Sequence, residues 1–324
     1  MTWTQIGQLA AIGTAMLWTL STLAWTSAGR RIGALSVSFL RLIVACALLA
    51  GWGQISRGLW LPTDAGRETW LLLGISGLFG FFLADLCLFK AYLLIGPRLS
   101  LLIQSLTPPL AAVISSVFLD DPLGLKHWLA MAVTLSGVAW VMLERPDAGH
   151  QRPTGQMAGG ICLSLVAAVA QAIGLVLSKR GLGNYDPVAA TFIRILGAMV
   201  GYVVLVTLVR RWTVIAANLR QARVMGIILC GAILGPVVGV VLCMVALRYC
   251  HAGVTATIIG TMPVLILPFV VVLYREPVSL RAVAGAIVSV AGVAGPHRGA
   301  RIRRGKRPDY GDAHAGRVAA SVRP

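Results

Sequence analysis

The side chains able to do chemistry are few, and most lie inside apolar stretches. Asp85 and Lys90 stand five residues apart in one such stretch. A charged group at mid-membrane costs about 2.5–3.5 kcal/mol on insertion scales, so it turns toward a protein interior and a partner. Asp85 has two structural partners on offer, Lys90 and, from the other half of the chain, Arg248. The alternative is that Asp85 holds substrate or a coupling proton; the structural role is the expected one. Arg41 and Arg194 each fall about two turns into a span, where a long side chain snorkels to the headgroups. Substrate contact is their alternative role.

Neutral polar groups complete a candidate lining. They are Trp18 and Ser21, Gln104 and Thr107, Gln171, and Thr257 with Thr261. A few polar groups among apolar walls suit recognition of a small molecule. Each of them alone could equally serve as an interhelical hydrogen bond. Pro108, Pro109, Pro236, Pro263 and Pro268 also fall within apolar stretches. Proline removes a helical N–H, and in lipid the freed carbonyl needs protein or a watery cavity beside it. A static kink is the plainer explanation of each.

No catalytic constellation accompanies these groups. The five histidines show no HExxH spacing, and the chain has no GxSxG elbow or Walker loop. The six cysteines, Cys46, Cys87, Cys162, Cys230, Cys243 and Cys250, show no CxxC spacing and read as small apolar packing residues. No cofactor or metal is expected, and without a nucleotide motif any transport would run on a gradient or as exchange.

The elements that must position these residues are membrane spans. Hydrophobic residues make up 57% of the chain and charged residues 12%, against about 25% charged in soluble domains. Apolar stretches long enough to cross about 30 Å of hydrocarbon recur throughout. Ten are expected, near 5–28, 35–53, 69–94, 98–119, 124–143, 155–178, 187–209, 222–247, 253–274 and 279–296. Met1 to Gln5 carries no Lys or Arg, so the first span reads as retained and not as a cleaved signal. Trp3, Trp52, Trp60, Trp70, Trp128, Trp140 and Trp212 fall near span ends, as an aromatic belt does, and Trp18 sits mid-span.

The spans repeat. Gly7-Gln8-Leu9-Ala10 returns as Gly155-Gln156-Met157-Ala158, and Phe39-Leu40-Arg41 as Phe192-Ile193-Arg194. Asp121-Pro122 returns as Glu276-Pro277, and Gly137-Val138-Ala139 as Gly292-Val293-Ala294. The units are 1–145 and 155–296, joined by a polar loop at 146–154 and followed by a basic tail at 297–324. Five spans per unit put the second copy upside down relative to the first, an arrangement tied to alternating access. Pro108 and Pro263 then occupy matching places, and paired interruptions point to a transporter's site. Gly231, Gly235 and Gly239, with Gly80 and Ala84 as counterparts, form stripes that let helices approach closely; sliding surfaces are the sharper alternative.

With these features the chain resembles the drug/metabolite transporter superfamily, in its ten-span form with two EamA repeats. The resemblance rests on the paired copies, the Phe-x-Arg motifs, the acidic-Pro pairs, and the proline regions at Thr107-Pro108-Pro109 and Met262-Pro263. It implies an all-α integral membrane fold with a cavity lined by the first, third, fourth, sixth, eighth and ninth spans. It also implies a secondary transporter of small molecules.

Of the 28 Lys and Arg behind the net charge of +17, eight lie after the last span. Arg298, Arg301, Arg303, Arg304, Lys306, Arg307, Arg317 and Arg323 lie in the tail, which has too few apolar residues to fold and reads as disordered. No aromatic residues interleave with these charges, so nucleic acid is not expected as a partner. Anionic lipid is expected, on the cytoplasmic leaflet, and the tail sets both termini inside, whereas the short loops alone point the other way. The expectation is an inner-membrane transporter, exporting a small metabolite or drug-like compound, with room for a homo-oligomer. An integral-membrane enzyme acting on a lipid-linked substrate is the alternative.

Overall fold

The computed structural model describes residues 3–119, 124–143 and 154–265, with positions 284 and 288. The acidic-Pro pairs, the loop up to Pro153, the tenth expected span and the basic tail lie outside the described residues. The described chain is helical. Its first half holds α1 (Trp3–Ile32), α2 (Ala34–Arg57), α3 (Arg67–Gly77), a π-helical segment Leu78–Leu83, α4 (Ala84–Gln104), α5 (Thr107–Phe118) and α6 (Leu125–Leu143). Its second half holds α7 (Thr154–Leu182), α8 (Pro187–Leu208), α9 (Trp212–Leu219), α10 (Ala222–Ala232), a second π-helical segment Ile233–Gly239, α11 (Val240–Tyr249), α12 (Ala252–Ile259) and α13 (Met262–Leu265).

Six stretches among the described residues are long and apolar enough to cross a membrane: Trp3–Gly29, Ala34–Arg57, Arg67–Tyr92, Gln156–Leu182, Pro187–Leu208 and Ala222–Tyr249. Thr107–Phe118 is a shorter apolar helix. Local chemistry sets their ends. Gly58 closes α2 in the left-handed region, φ 67°, returning its N–H to the carbonyls of Gln54 and Gly53. Asp186 caps α8 by accepting from Ala189 N at 2.8 Å, ahead of Pro187 at the first helical position.

One boundary differs from the sequence expectation. A break was expected between residues 94 and 98, but α4 runs on through Gly96 and Pro97 to Gln104. Proline's fixed φ is itself helical, so the loss of one hydrogen bond does not oblige the helix to end. The break falls ten residues further on, at Ser105 and Leu106.

The two halves interlock. The leading helix of each packs along the π-interrupted stretch of the other: α1 against α10, the second π segment and α11, and α7 against α3, the first π segment and α4. Close approach needs small residues. A Cβ on Gly77 would stand 1.8 Å from the carbonyl oxygen of Arg194, so α3 and α8 meet backbone to backbone there. The glycine stripe of the second half has a different use. Cβ atoms at Gly235 and Gly239 would strike the indoles of Trp25 and Trp18 at 2.4 and 2.7 Å, so the stripe seats two tryptophans from α1.

Both π segments fall at equivalent positions, Leu78 and Ile233 being 155 residues apart. A π segment shifts the backbone pairing, and each has a carbonyl served by a hydroxyl from the opposite half. Tyr202 Oη donates to the Phe81 carbonyl at 3.2 Å, and Thr14 Oγ1 donates to the Gly239 carbonyl at 3.1 Å.

The ends of the bundle are tied by polar contacts. Arg57 pairs with Asp64. Tyr185 Oη donates to Asp64 Oδ1 at 2.9 Å and accepts from Arg57 Nη1 at 3.3 Å. Burial, with the Asp64 contact adding to it, holds the Tyr185 hydroxyl above its ordinary range, so it stays a donor. Arg248 donates to the Tyr185 carbonyl.

Candidate functional site

A cavity of about 150 Å³ opens between the halves. The six spans expected to line it all contribute, and the second span adds Arg41. From the first half come Trp18 and Trp25 of α1, Phe81 of the π segment, Asp85, Phe89, Tyr92 and Gln104 of α4, and Thr107 and Pro108 of α5. From the second come Gln171 of α7, Gly235 and Pro236 of the π segment, Ala256 and Ile259 of α12, and Met262 of α13.

Paired backbone breaks shape the walls. α4 ends at Gln104 and α5 starts at Thr107; α12 ends at Ile259 and α13 starts at Met262. The two breaks are again 155 residues apart and meet in space, with Pro108 Cγ 3.4 Å from the place of a Cβ on Gly260. Pro108 and Pro263 occupy the second positions of their helices, α5 and α13, where the missing N–H has no intrahelical partner to lose. The side chain of Pro263 lies outside the described residues.

The charges are arranged differently from the sequence expectation. Arg41 and Arg194 do not snorkel; they are 3% and 2% exposed. Asp85 pairs with Arg41, and with neither Lys90 nor Arg248. Lys90 is exposed on the surface, and Arg248 is engaged at Tyr185. Spacing along α4 suggested Lys90, whereas the bundle brings α2 against α4 and supplies a closer guanidinium. The Arg41 guanidinium also lies over the Trp25 ring, 4.4 Å from its centroid, and 5.6 Å from that of Phe89. Arg194, its counterpart in the second copy, donates from Nε to Ser76 Oγ at 3.0 Å and covers the Phe81 ring at 4.6 Å.

Five of the seven candidate ligand-contacting residues line the cavity: Trp18, Asp85, Gln104, Thr107 and Gln171. Thr257 and Thr261 stand outside the lining. Their hydroxyls donate within α12 and its end, to the Gly253 and Ile258 carbonyls, each at 2.7 Å. Ser21 likewise donates to the Trp18 carbonyl, at 3.0 Å. Trp25 was missed in the sequence, although a signal existed: it lies seven residues after Trp18, two turns along the same helix face. Arg41 was marked by its place within a span, with substrate contact as the alternative to snorkelling; the partner that holds it at the cavity, Asp85, lies 44 residues away in the chain.

Three buried polar atoms of the lining have no partner: Arg41 Nε, Gln104 Oε1 and Thr107 Oγ1. A buried donor or acceptor left unmade costs about 1–3 kcal/mol. All three belong to residues of the cavity lining, and each atom is itself buried. A fourth, Trp25 Nε1, is turned instead against Gly231 of α10. Among the described residues, no three His, Cys, Asp or Glu side chains converge as metal ligands. The six cysteines are free; Cys87, Cys243 and Cys250 are buried, and Cys162 and Cys230 are exposed.

These features define a multi-pass helical membrane protein whose two related halves enclose a mainly apolar cavity bearing a few polar groups. Comparison with protein families matches both halves: the EamA-like transporter family, at residues 5–143 and again at 158–295. The chain belongs to that family. A search of curated proteins found no match. Twenty-nine chains of solved structures match it. One, described only as the crystal structure of a protein, shares 18% identity at a TM-score of 0.68, covering 89% of this chain and 95% of its own. At that identity the likeness speaks for the fold alone.

Proposed function

We propose that the chain is a secondary transporter that carries a small metabolite or drug-like compound out across the inner membrane by alternating access. One observation carries the reading: a mainly apolar cavity between two homologous halves is lined by a few polar side chains, among them Arg41, Asp85, Gln104 and Thr107. Trp18, Asp85, Gln104, Thr107 and Gln171 contact the substrate in this reading, beside the breaks at Pro108 and Pro263. The two halves are inverted copies of five spans each, ten in all, and rock about the paired breaks. Both termini face the cytoplasm, where the basic tail lies on anionic lipid.

Family membership supports the transport role, and the matching positions of the π segments and helix breaks support a pseudo-symmetric motion. The test compares a deletion strain with an overexpressing strain across amino acids, nucleosides and toxic analogues. Overexpression is expected to raise tolerance to at least one compound, and Thr107→Trp, which fills the cavity, is expected to abolish that tolerance at normal protein yield. A Thr107→Trp protein that protects as well as the unmodified one would show that the cavity is not the route.

A further inference from the structure

The charges around the cavity do not balance. Among the described residues, its lining carries one carboxylate, Asp85, and one guanidinium, Arg41, and these pair. A second guanidinium stands one layer behind: Arg194 Nη2 is 3.2 Å from where a Cβ on Gly80 would lie, and Gly80 is part of the lining. Its described contacts are neutral, namely Ser76 Oγ, the sulfur of Met244 and the Phe81 ring. Both guanidiniums act electrostatically on the same carboxylate. Two cations thus share one anion in a low-dielectric interior, and the surplus is positive.

The walls argue against a cationic ligand. An ammonium would seek aromatic faces, but of the five aromatic residues of the described lining three already meet a guanidinium: Trp25 and Phe89 that of Arg41, at 4.4 and 5.6 Å, and Phe81 that of Arg194, at 4.6 Å. Asp85, the one carboxylate of the lining, is engaged by Arg41. The unpartnered groups favour the opposite polarity. Arg41 Nε is a buried cationic donor without an acceptor, and Gln104 Oε1 is an acceptor without a donor. Phe81, Leu88, Phe89 and Tyr92 add aromatic and aliphatic wall to the same cavity.

Resting on the transporter reading above, we propose that the cavity takes a small organic monoanion: a carboxylate on an apolar or aromatic body, bearing a neutral hydrogen-bond donor at its far end. The carboxylate lies on the Arg41 side, where it offsets the surplus charge that Arg194 contributes. The neutral donor meets the Gln104 amide and the Thr107 hydroxyl. A zwitterion of the same shape brings no net negative charge and leaves the surplus in place.

The test uses purified full-length protein and four probes with one body: para-hydroxyphenylacetate, its uncharged amide, tyramine and tyrosine. Binding is read from tryptophan fluorescence, which Trp18 and Trp25 place at the cavity, and transport from counterflow in proteoliposomes. The acid is expected to bind about tenfold more tightly than each of the other three, the scale of one charge-assisted contact. Arg194→Gln is expected to bring the acid-to-amide ratio close to unity, and Arg194→Lys to restore it. If Arg194→Gln does not accumulate, the four probes on the unmodified protein still decide the question. Tyramine or tyrosine binding as well as the acid would overturn the anion assignment and leave the transport reading standing. Silence from all four probes would overturn the assignment too, and the growth panel would then judge the transport reading separately.

Discussion

Asp85→Asn keeps the shape of the side chain and removes the charge that Arg41 pairs with. Arg41 is 3% exposed, so the guanidinium stays buried when its partner is neutralised. Removing one member of a buried ion pair costs about 3–5 kcal/mol, because the other charge is left uncompensated. Two features reduce that figure. The Trp25 and Phe89 rings remain against the guanidinium, and such contacts are worth about 0.5–2 kcal/mol. The Asp85 side chain is 19% exposed, so water from the cavity can reach the site. The expected net loss is about 2–3 kcal/mol, read as a fall of several degrees in the melting temperature of the detergent-solubilised protein. The double variant Arg41→Met with Asp85→Leu removes both charges together, and exchange of a buried pair for apolar residues is often neutral. It is expected to recover most of the lost stability while remaining unable to transport. An Asp85→Asn protein that melts with the unmodified one would refute the reasoning. So would a double variant as unstable as the sum of its single changes.

Gly77→Ala places a Cβ 1.8 Å from the Arg194 carbonyl oxygen, where backbone cannot yield cheaply. Overpacking of this kind costs about 1–3 kcal/mol, and the variant is expected to lose folded yield by size-exclusion chromatography, whereas Gly74→Ala, with open space around its Cβ, is expected to keep it. Tyr185→Phe removes the hydroxyl shared by Arg57 and Asp64 and is expected to cost about 1 kcal/mol in thermal melting. A change of sign there would mean that the polar tie strains the bundle end. For topology, a single cysteine at Ala148 in a cysteine-free background is expected to react with an impermeant maleimide from outside intact cells, and one at Ala315 only after permeabilisation; the reverse pattern would invert the orientation.

The apolar, span-forming character of the chain and its twofold repeat were legible in the sequence because each depends on local composition. A lipid-facing helix must be apolar residue by residue, and a duplicated unit keeps its punctuation. Arg41 and Arg194 were recognisable as a matched pair, 153 residues apart, as were Pro108 and Pro263 at 155. Trp18, Gln104, Thr107 and Gln171 stood out as polar or amphipathic groups within apolar runs, and the cavity collects all four. Direction around a helix axis was not legible. Thr257 and Thr261 have the same chemistry as Thr107, yet α12 and its end keep their hydroxyls on backbone carbonyls.

Only the tertiary structure decided who partners whom. Asp85 has Lys90 close by in sequence, but it is Arg41, on another helix, that reaches it. Nor does the sequence mark the first π segment: Leu78–Leu83 contains no proline, and the hydroxyl that serves its Phe81 carbonyl comes from Tyr202 of the opposite half. In each case the deciding energy is a contact between segments distant in the chain. Composition and period determine which residues must leave water and which must find a partner; the packing of the two halves determines which partner each one finds.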